Sequence, residues 1–227
     1  MLDPTLFRIR SFSAANTITF VVYGALGVTF FLLPLVLQDV LGYSAVAAGA
    51  ATLPVSLTLI SFSARAGALV PRIGARPLLS AGPLIMALGM LLLARLATLT
   101  RVDTSYWRDV MPAVLVFAIG LCLVVAPVTT TVMSDVGATR SGTASGVNNA
   151  VARIAGLIAI AVLPLIAGLA SASPKAIGDA SANIAFLTGY GRTMVLAAIM
   201  CAVGGLFAWL TLERSTGQAG DTEGPSA

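Results

Sequence analysis

The chain has 227 residues, of which 58% are hydrophobic and only 10% charged, and its mean hydropathy is +0.97. A soluble domain carries about 25% charged residues, so there is too little charge here to cover a surface in water, and the composition points to an integral membrane protein. The formal net charge of +4 is not a nucleic-acid footprint, because Lys175 is the sole lysine and the arginines stand singly at the ends of apolar runs, where the positive-inside rule places them.

The absence of His excludes imidazole chemistry and histidine metal ligation. Cys122 and Cys201 both lie inside apolar runs, where burial is the ordinary role of cysteine. No metal and no cofactor is expected. The opening residues 1–10 do not read as a secretory leader: Asp3 and Pro4 precede the positive charges, and the apolar run that follows is longer than a signal h-region.

Six stretches free of charged residues are 18 residues or longer: 11–38 (28), 40–64 (25), 77–94 (18), 110–134 (25), 154–174 (21) and 193–212 (20). About 20 apolar residues cross a bilayer as a helix. The pattern therefore predicts an all-α integral membrane bundle of six helices over 16–37, 45–64, 78–96, 112–133, 142–170 and 192–212. An outer-membrane barrel would instead alternate in segments of about 10 residues. The polar tail 213–227 reads as disordered.

In the first predicted helix, Asn16, Thr19, Tyr23 and Gly27 share a face by their i, i+3/i+4 spacing. That face is either a polar seam against a neighbour or the lining of a cavity. The second helix carries Pro54 near its middle. A basic hinge, Ser61–Arg76, follows, with Arg65, Arg72 and Arg76 as its charges and Gly67, Pro71 and Gly74 as bending points. Three guanidinium groups hold it at a water interface. Trp107 and Tyr106 precede the fourth helix as interfacial aromatics. In that helix Pro127 is followed at once by Thr129, Thr130 and Thr131.

The fifth helix opens with Gly142, Ser145, Gly146, Asn148 and Asn149, and reaches Arg153 after 11 residues, roughly 16 Å at 1.5 Å per residue. A charge at that depth faces protein or water and marks a functional-site candidate; the alternatives are snorkelling to the near surface or pairing with Asp135. Counting Lys and Arg, the side of Arg8, Arg10, Arg65, Arg72, Arg76, Arg140 and Arg214 carries seven. The side of Arg95, Arg101, Arg108, Lys175 and Arg192 carries five. The bias predicts a multi-pass protein of the plasma (inner) membrane with both termini and the basic hinge in the cytoplasm.

Arg8–Ser11, the run Gln38-x-x-Leu41-Gly42-Tyr43-Ser44 and the hinge Gly67–Arg76 resemble the major facilitator superfamily, and more narrowly its fourteen-span drug:proton antiporters. Gly142-x-x-Ser145-Gly146-x-x-Asn149, followed by Arg153 and Gly156, is similar to the opening of the penultimate helix in that group. Gly67, Leu69, Arg72, Gly74 and Arg76 match the family's cytoplasmic loop motif, Gly-x-Leu-x-Asp-Arg-x-Gly-Arg-Arg, with Pro71 where Asp is usual and Ala75 where Arg is usual. The resemblance covers one six-helix bundle of the two in such a transporter.

The resemblance implies a 3+3 inverted repeat and alternating access, with the first helix of each triplet lining the cavity. It points to Asn16, Thr19, Tyr23, Thr130 and Thr131 as cavity residues, and to Ser145, Asn148, Asn149 and Arg153 as a polar cluster of helix five. The expected function is that of the C-terminal half of a proton-coupled efflux transporter for small lipophilic compounds, cations among them. Its partners would be the bilayer, a small-molecule substrate, and an N-terminal six-helix bundle or a second copy, with no nucleic acid. No acid lies in the middle of a predicted span, so proton coupling would come from the partner bundle. The alternative is a truncated, non-transporting fragment or scaffold, since Asp3-Pro4-Thr5 resembles the interior of a longer chain. An enzyme is not expected.

Overall fold

The computed structural model describes residues 8–98, 104–134, 140–169 and 180–212. These form helices α1 Arg10–Leu35, α2 Ala45–Ala50, α3 Leu53–Ile73, α4 Ala75–Ala94, α5 Met111–Ser134, α6 Ser141–Ile166 and α7 Ala180–Thr211. The helices α2 and α3 make one interrupted crossing, so there are six crossings of 24 to 31 residues each. That exceeds the ~20 residues a hydrocarbon layer requires. No strand occurs among the described residues, and the expected all-α membrane bundle is the architecture found.

Local chemistry sets where the crossings bend. Pro34 removes a donor from the last turn of α1, and a wider π-turn follows over Val36–Val40. The Ser44 hydroxyl then caps α2, accepting from the Ala47 N–H at 3.2 Å. A helix over 45–64 with Pro54 near its middle is predicted; the helix is interrupted at 51–52, and Pro54 falls in the first turn of α3, where its missing N–H is no loss.

The basic stretch 61–76 also differs from expectation. It is not a loop: α3 runs through Arg65 and Arg72 to Ile73, and α4 starts at Ala75. Gly74 alone makes the turn, at φ +81°, a conformation that disfavours any residue with a Cβ. A helix satisfies its own backbone in lipid, so a one-residue turn leaves few groups in need of water.

The last helix starts at Ala180 rather than near 192. The gap between charges marks where a helix enters hydrocarbon, not where it begins. Arg192 is exposed, and its neighbour Gly191 stands against Ala97, just beyond the end of α4. The predicted tail 213–227 lies outside the described residues.

The register of contacts shows how the crossings run. Gly82 of α4 faces Val124 of α5 while Gly89 faces Phe117, so α4 and α5 are antiparallel. Thr19 of α1 meets Asn148 of α6 while Gly27 meets Gly156, so these two are parallel. Thr58 meets Cys122 and Gly67 meets Ala126, so α3 and α5 are parallel too. Gly205 of α7 sits at Ser80 of α4 and Gly191 at Ala97, again antiparallel. Crossings of like parity run together and crossings of unlike parity oppose, as successive passes through one layer require.

The helix α1 packs along α6 as α5 packs along α3, and α4 packs on both α5 and α7. Exchanging the first three crossings with the last three maps the first pair onto the second. An odd number of crossings inverts one triplet relative to the other, which is the 3+3 inverted repeat.

Phe12, Ile18, Met86 and Phe117 fill the interior, while Ile60, Leu157 and Leu210 are 80%, 71% and 73% exposed. An exterior as apolar as the core is what lipid allows and water does not. Coverage is uneven. Over the most apolar 18 residues of each crossing, 44% to 56% are buried in four of them, against 22% in the α2–α3 crossing and 17% in α6.

Candidate functional site

Two asparagines and a threonine join α1 to α6 near the Arg10 end of the bundle. The Asn148 amide donates to Thr19 Oγ1 at 2.7 Å and to Asn16 Oδ1 at 3.3 Å, and the Asn16 amide donates to the Phe12 carbonyl at 2.8 Å. Asn16 and Thr19 are 4% and 0% exposed. An interhelical hydrogen bond of this kind in a membrane is worth about 0.6–2 kcal/mol. Two of the residues predicted to line a cavity are thus engaged between helices here, in the seam that the sequence left as an alternative.

Tyr23 is placed differently. Beyond the seam the facing residues become small, and a Cβ on Gly27 would stand 2.9 Å from Gly156 Cα. The two backbones touch, and the larger side chains on either side splay into the walls of an open groove of about 500 Å³. Tyr23, Leu26 and Phe30 form one wall; Arg153, Leu157 and Ile160 form the other. Arg153 is the thirteenth of the 26 residues of α6, in the middle of the crossing. Its side chain is exposed and makes no hydrogen bond or ion pair with a described residue. Asp39 and Asp109, the carboxylates among the described residues, belong to the π-turns at crossing ends.

The groove walls Leu26, Phe30, Leu157 and Ile160 were not among the predicted residues. The signal for them is present, since 23, 26, 27, 30 and 153, 156, 157, 160 each follow i, i+3, i+4, i+7, the spacing of one helix face. Which helix would face which is not encoded in either series alone.

The other predicted residues disperse. Asn149 is exposed and donates back to the Ser145 carbonyl at 3.1 Å, whereas Asn148 bonds to α1 and Arg153 lines the groove beside it. Thr130 and Thr131 fall in α5, but their side chains lie outside the described residues, as does Asp135, the suggested partner of Arg153.

The loop-motif residues act as anchors. Gly67 lets α3 approach Ala126 of α5, and the exposed Leu69 faces outward. Arg72 sits in the last turn of α3, where a cation complements the helix dipole. Arg76 stacks over the Trp209 ring at 4.4 Å, and its Nε donates to the Trp209 carbonyl at 2.7 Å. One guanidinium thereby caps the end of α7 and ties it to the α3–α4 turn, a link between residues 133 positions apart that no local pattern announces.

Among the described residues no cluster of His, Cys, Asp or Glu could hold a metal ion; the arrangement offers a mid-crossing groove with apolar walls and a single charge. The Major Facilitator Superfamily model matches residues 3–160. The multidrug resistance protein Stp of Mycobacterium tuberculosis is 36% identical over 172 residues, covering 72% of this chain and 29% of Stp. The cephamycin export protein CmcT of Amycolatopsis lactamdurans is 31% identical over 191 residues, covering 82% and 38% respectively. The puromycin resistance protein pur8 of Streptomyces alboniger is 28% identical over 202 residues, covering 85% and 39%. The chain thus spans between 29% and 39% of the length of these three relatives. On the extent of the family match, and with six apolar crossings in an inverted repeat, the chain belongs to the major facilitator superfamily.

Proposed function

We propose that this chain is one six-helix bundle of an efflux transporter, extruding small lipophilic compounds across the plasma membrane by alternating access. The observation that carries the reading is the groove between α1 and α6, open at mid-crossing and bearing Arg153 and Tyr23. A charge at that depth, bonded to no described residue, is tolerated beside water or protein, not beside acyl chains. The α1–α6 side is also where the bundle is least self-covered, with α6 only 17% buried over its apolar stretch. The name of one relative, the cephamycin export protein CmcT, favours the same direction of transport.

Alternating access needs a second bundle to rock against, either an N-terminal six-helix bundle or a second copy. Proton coupling draws its acid from that second bundle, because the described carboxylates here stand at crossing ends. The Arg10, Arg65, Arg72, Arg76 and Arg140 end of the bundle faces the cytoplasm.

The test is proton-driven efflux of a lipophilic fluorescent compound from vesicles holding this chain, first alone and then with a six-span partner supplied. Efflux in either format supports transport, and which format works identifies the second bundle. Absence of efflux in both overturns the reading. A reporter fused after Leu212 should be cytoplasmic; one found on the opposite side would reverse the orientation.

A further inference from the structure

We infer that the α1–α6 groove selects an amphiphilic anion, a compound with a carboxylate or sulfonate on an apolar body, rather than the lipophilic cation suggested by family resemblance. The inference rests on the transport reading and names the substrate class of the same site. Its basis is the mismatch between the groove's walls and its charge. Leu26, Phe30, Leu157 and Ile160 offer only apolar surface, and the one ionised side chain among the lining residues is the exposed Arg153. Among the described residues no carboxylate stands near enough to neutralise it: Asp39 follows α1 in a terminal π-turn, and Asp109 is engaged by Arg108 at 3.2 Å.

A lipophilic cation entering this groove would be repelled by the guanidinium in a medium where charges are poorly screened. It would find no acid among the described residues to offset that repulsion. An anion gains twice. A guanidinium fork takes a carboxylate or sulfonate with two parallel charge-assisted hydrogen bonds, and the apolar body lies along Leu26, Phe30 and Leu157. The Tyr23 ring on the opposite wall adds further surface for that body. Depth argues against a lipid headgroup as the source of the anion, because Arg153 is mid-helix in α6 and headgroups lie at the surface.

The test is equilibrium binding to the full chain in phosphatidylcholine nanodiscs. The probes are two dansyl amides with the same alkyl spacer, one ending in a carboxylate and the other in an ammonium. The carboxylate probe should bind at least about tenfold more tightly than the ammonium probe, the smallest difference expected from one charge-assisted hydrogen bond. Arg153→Gln should lower carboxylate affinity by about the same factor and leave the ammonium probe unchanged or improved, while Arg153→Lys, which keeps the charge, should retain most of the affinity. Circular dichroism and gel filtration check that each variant is folded.

Equal affinity of the two probes for the parent chain would overturn the inference and assign Arg153 to an acid of another bundle or copy; so would an Arg153→Gln variant that binds the carboxylate normally. Doping the discs with phosphatidylglycerol separates the two sources of an amphiphilic anion. Competition with the carboxylate probe would overturn the assignment to a dissolved compound, and lack of competition supports it. The readout is binding, so its failure leaves efflux standing, and a failure of efflux leaves the binding result intact.

Discussion

The α4–α5 and α1–α6 contacts bring helix backbones together at similar range by different means. Between α4 and α5 the approach is dry. A Cβ on Gly89 would lie 2.6 Å from the Phe117 amide nitrogen, and one on Gly120 would lie 2.5 Å from that of Met86. Met86, Phe117, Leu121 and Val124 close around the contact and are buried. Between α1 and α6 the contact is polar at one end, where Asn148 bonds Thr19 and Asn16, and open in the middle, where Arg153 and Tyr23 line the groove. Lipid provides no hydrophobic force between helices, so close packing has to supply the cohesion. The first contact meets that requirement fully, and the second gives up part of it for a polar seam and a charged opening.

The comparison is broken most severely at Gly120. Gly120→Leu places a side chain where only backbone fits, and overpacking against backbone destabilises by about 3 kcal/mol or more. The variant should lose its monodisperse gel-filtration peak in detergent. An unchanged peak and melting curve would show that the α4–α5 contact yields easily and is not the rigid part of the bundle.

A smaller effect is expected at the polar seam. Asn148→Leu removes both interhelical bonds at a cost of about 1 kcal/mol, a fall in melting midpoint of roughly 2–4 °C for a chain of this size. A loss as large as that of Gly120→Leu would mean that the seam, not the glycine contact, holds the bundle together.

The smallest change in stability belongs to the residue with the largest functional claim. Arg153→Leu removes a side chain that bonds to no described residue, so stability should shift by no more than about 0.5 kcal/mol while efflux is abolished. A melting point lowered by several degrees with efflux intact would make Arg153 a structural residue and erase the functional contrast between the two contacts.

Some of this is visible in the order of residues and some is not. The face Asn16, Thr19, Tyr23 and Gly27 is legible by spacing, and the depth of Arg153 by counting along its helix. What spacing cannot tell is that the face divides. Asn16 and Thr19 meet Asn148 across the seam, whereas Tyr23 and Gly27 border the groove one turn later. The basic stretch 61–76 reads as a loop because its arginines demand water, yet exposed arginines on a helix end meet the same demand, and the turn shrinks to Gly74. The start of α7 is misplaced for a related reason: Arg192 marks the membrane edge, and a helix does not end at that edge.

The sequence by itself determined the number of crossings, the apolar exterior and the presence of one charge deep in a span. Each follows from the local cost of placing a side chain or a peptide group in hydrocarbon, a quantity that needs no knowledge of neighbours. Tertiary structure alone decided which crossings pair, where Arg76 reaches Trp209, and that Arg153 stands open in a groove while Asn148, five positions earlier, is bonded to α1. Those outcomes depend on how closely two remote backbones approach, and the approach is set by small residues meeting each other, Gly27 with Gly156 and Gly120 with Gly82, across distances in the chain that no local pattern spans.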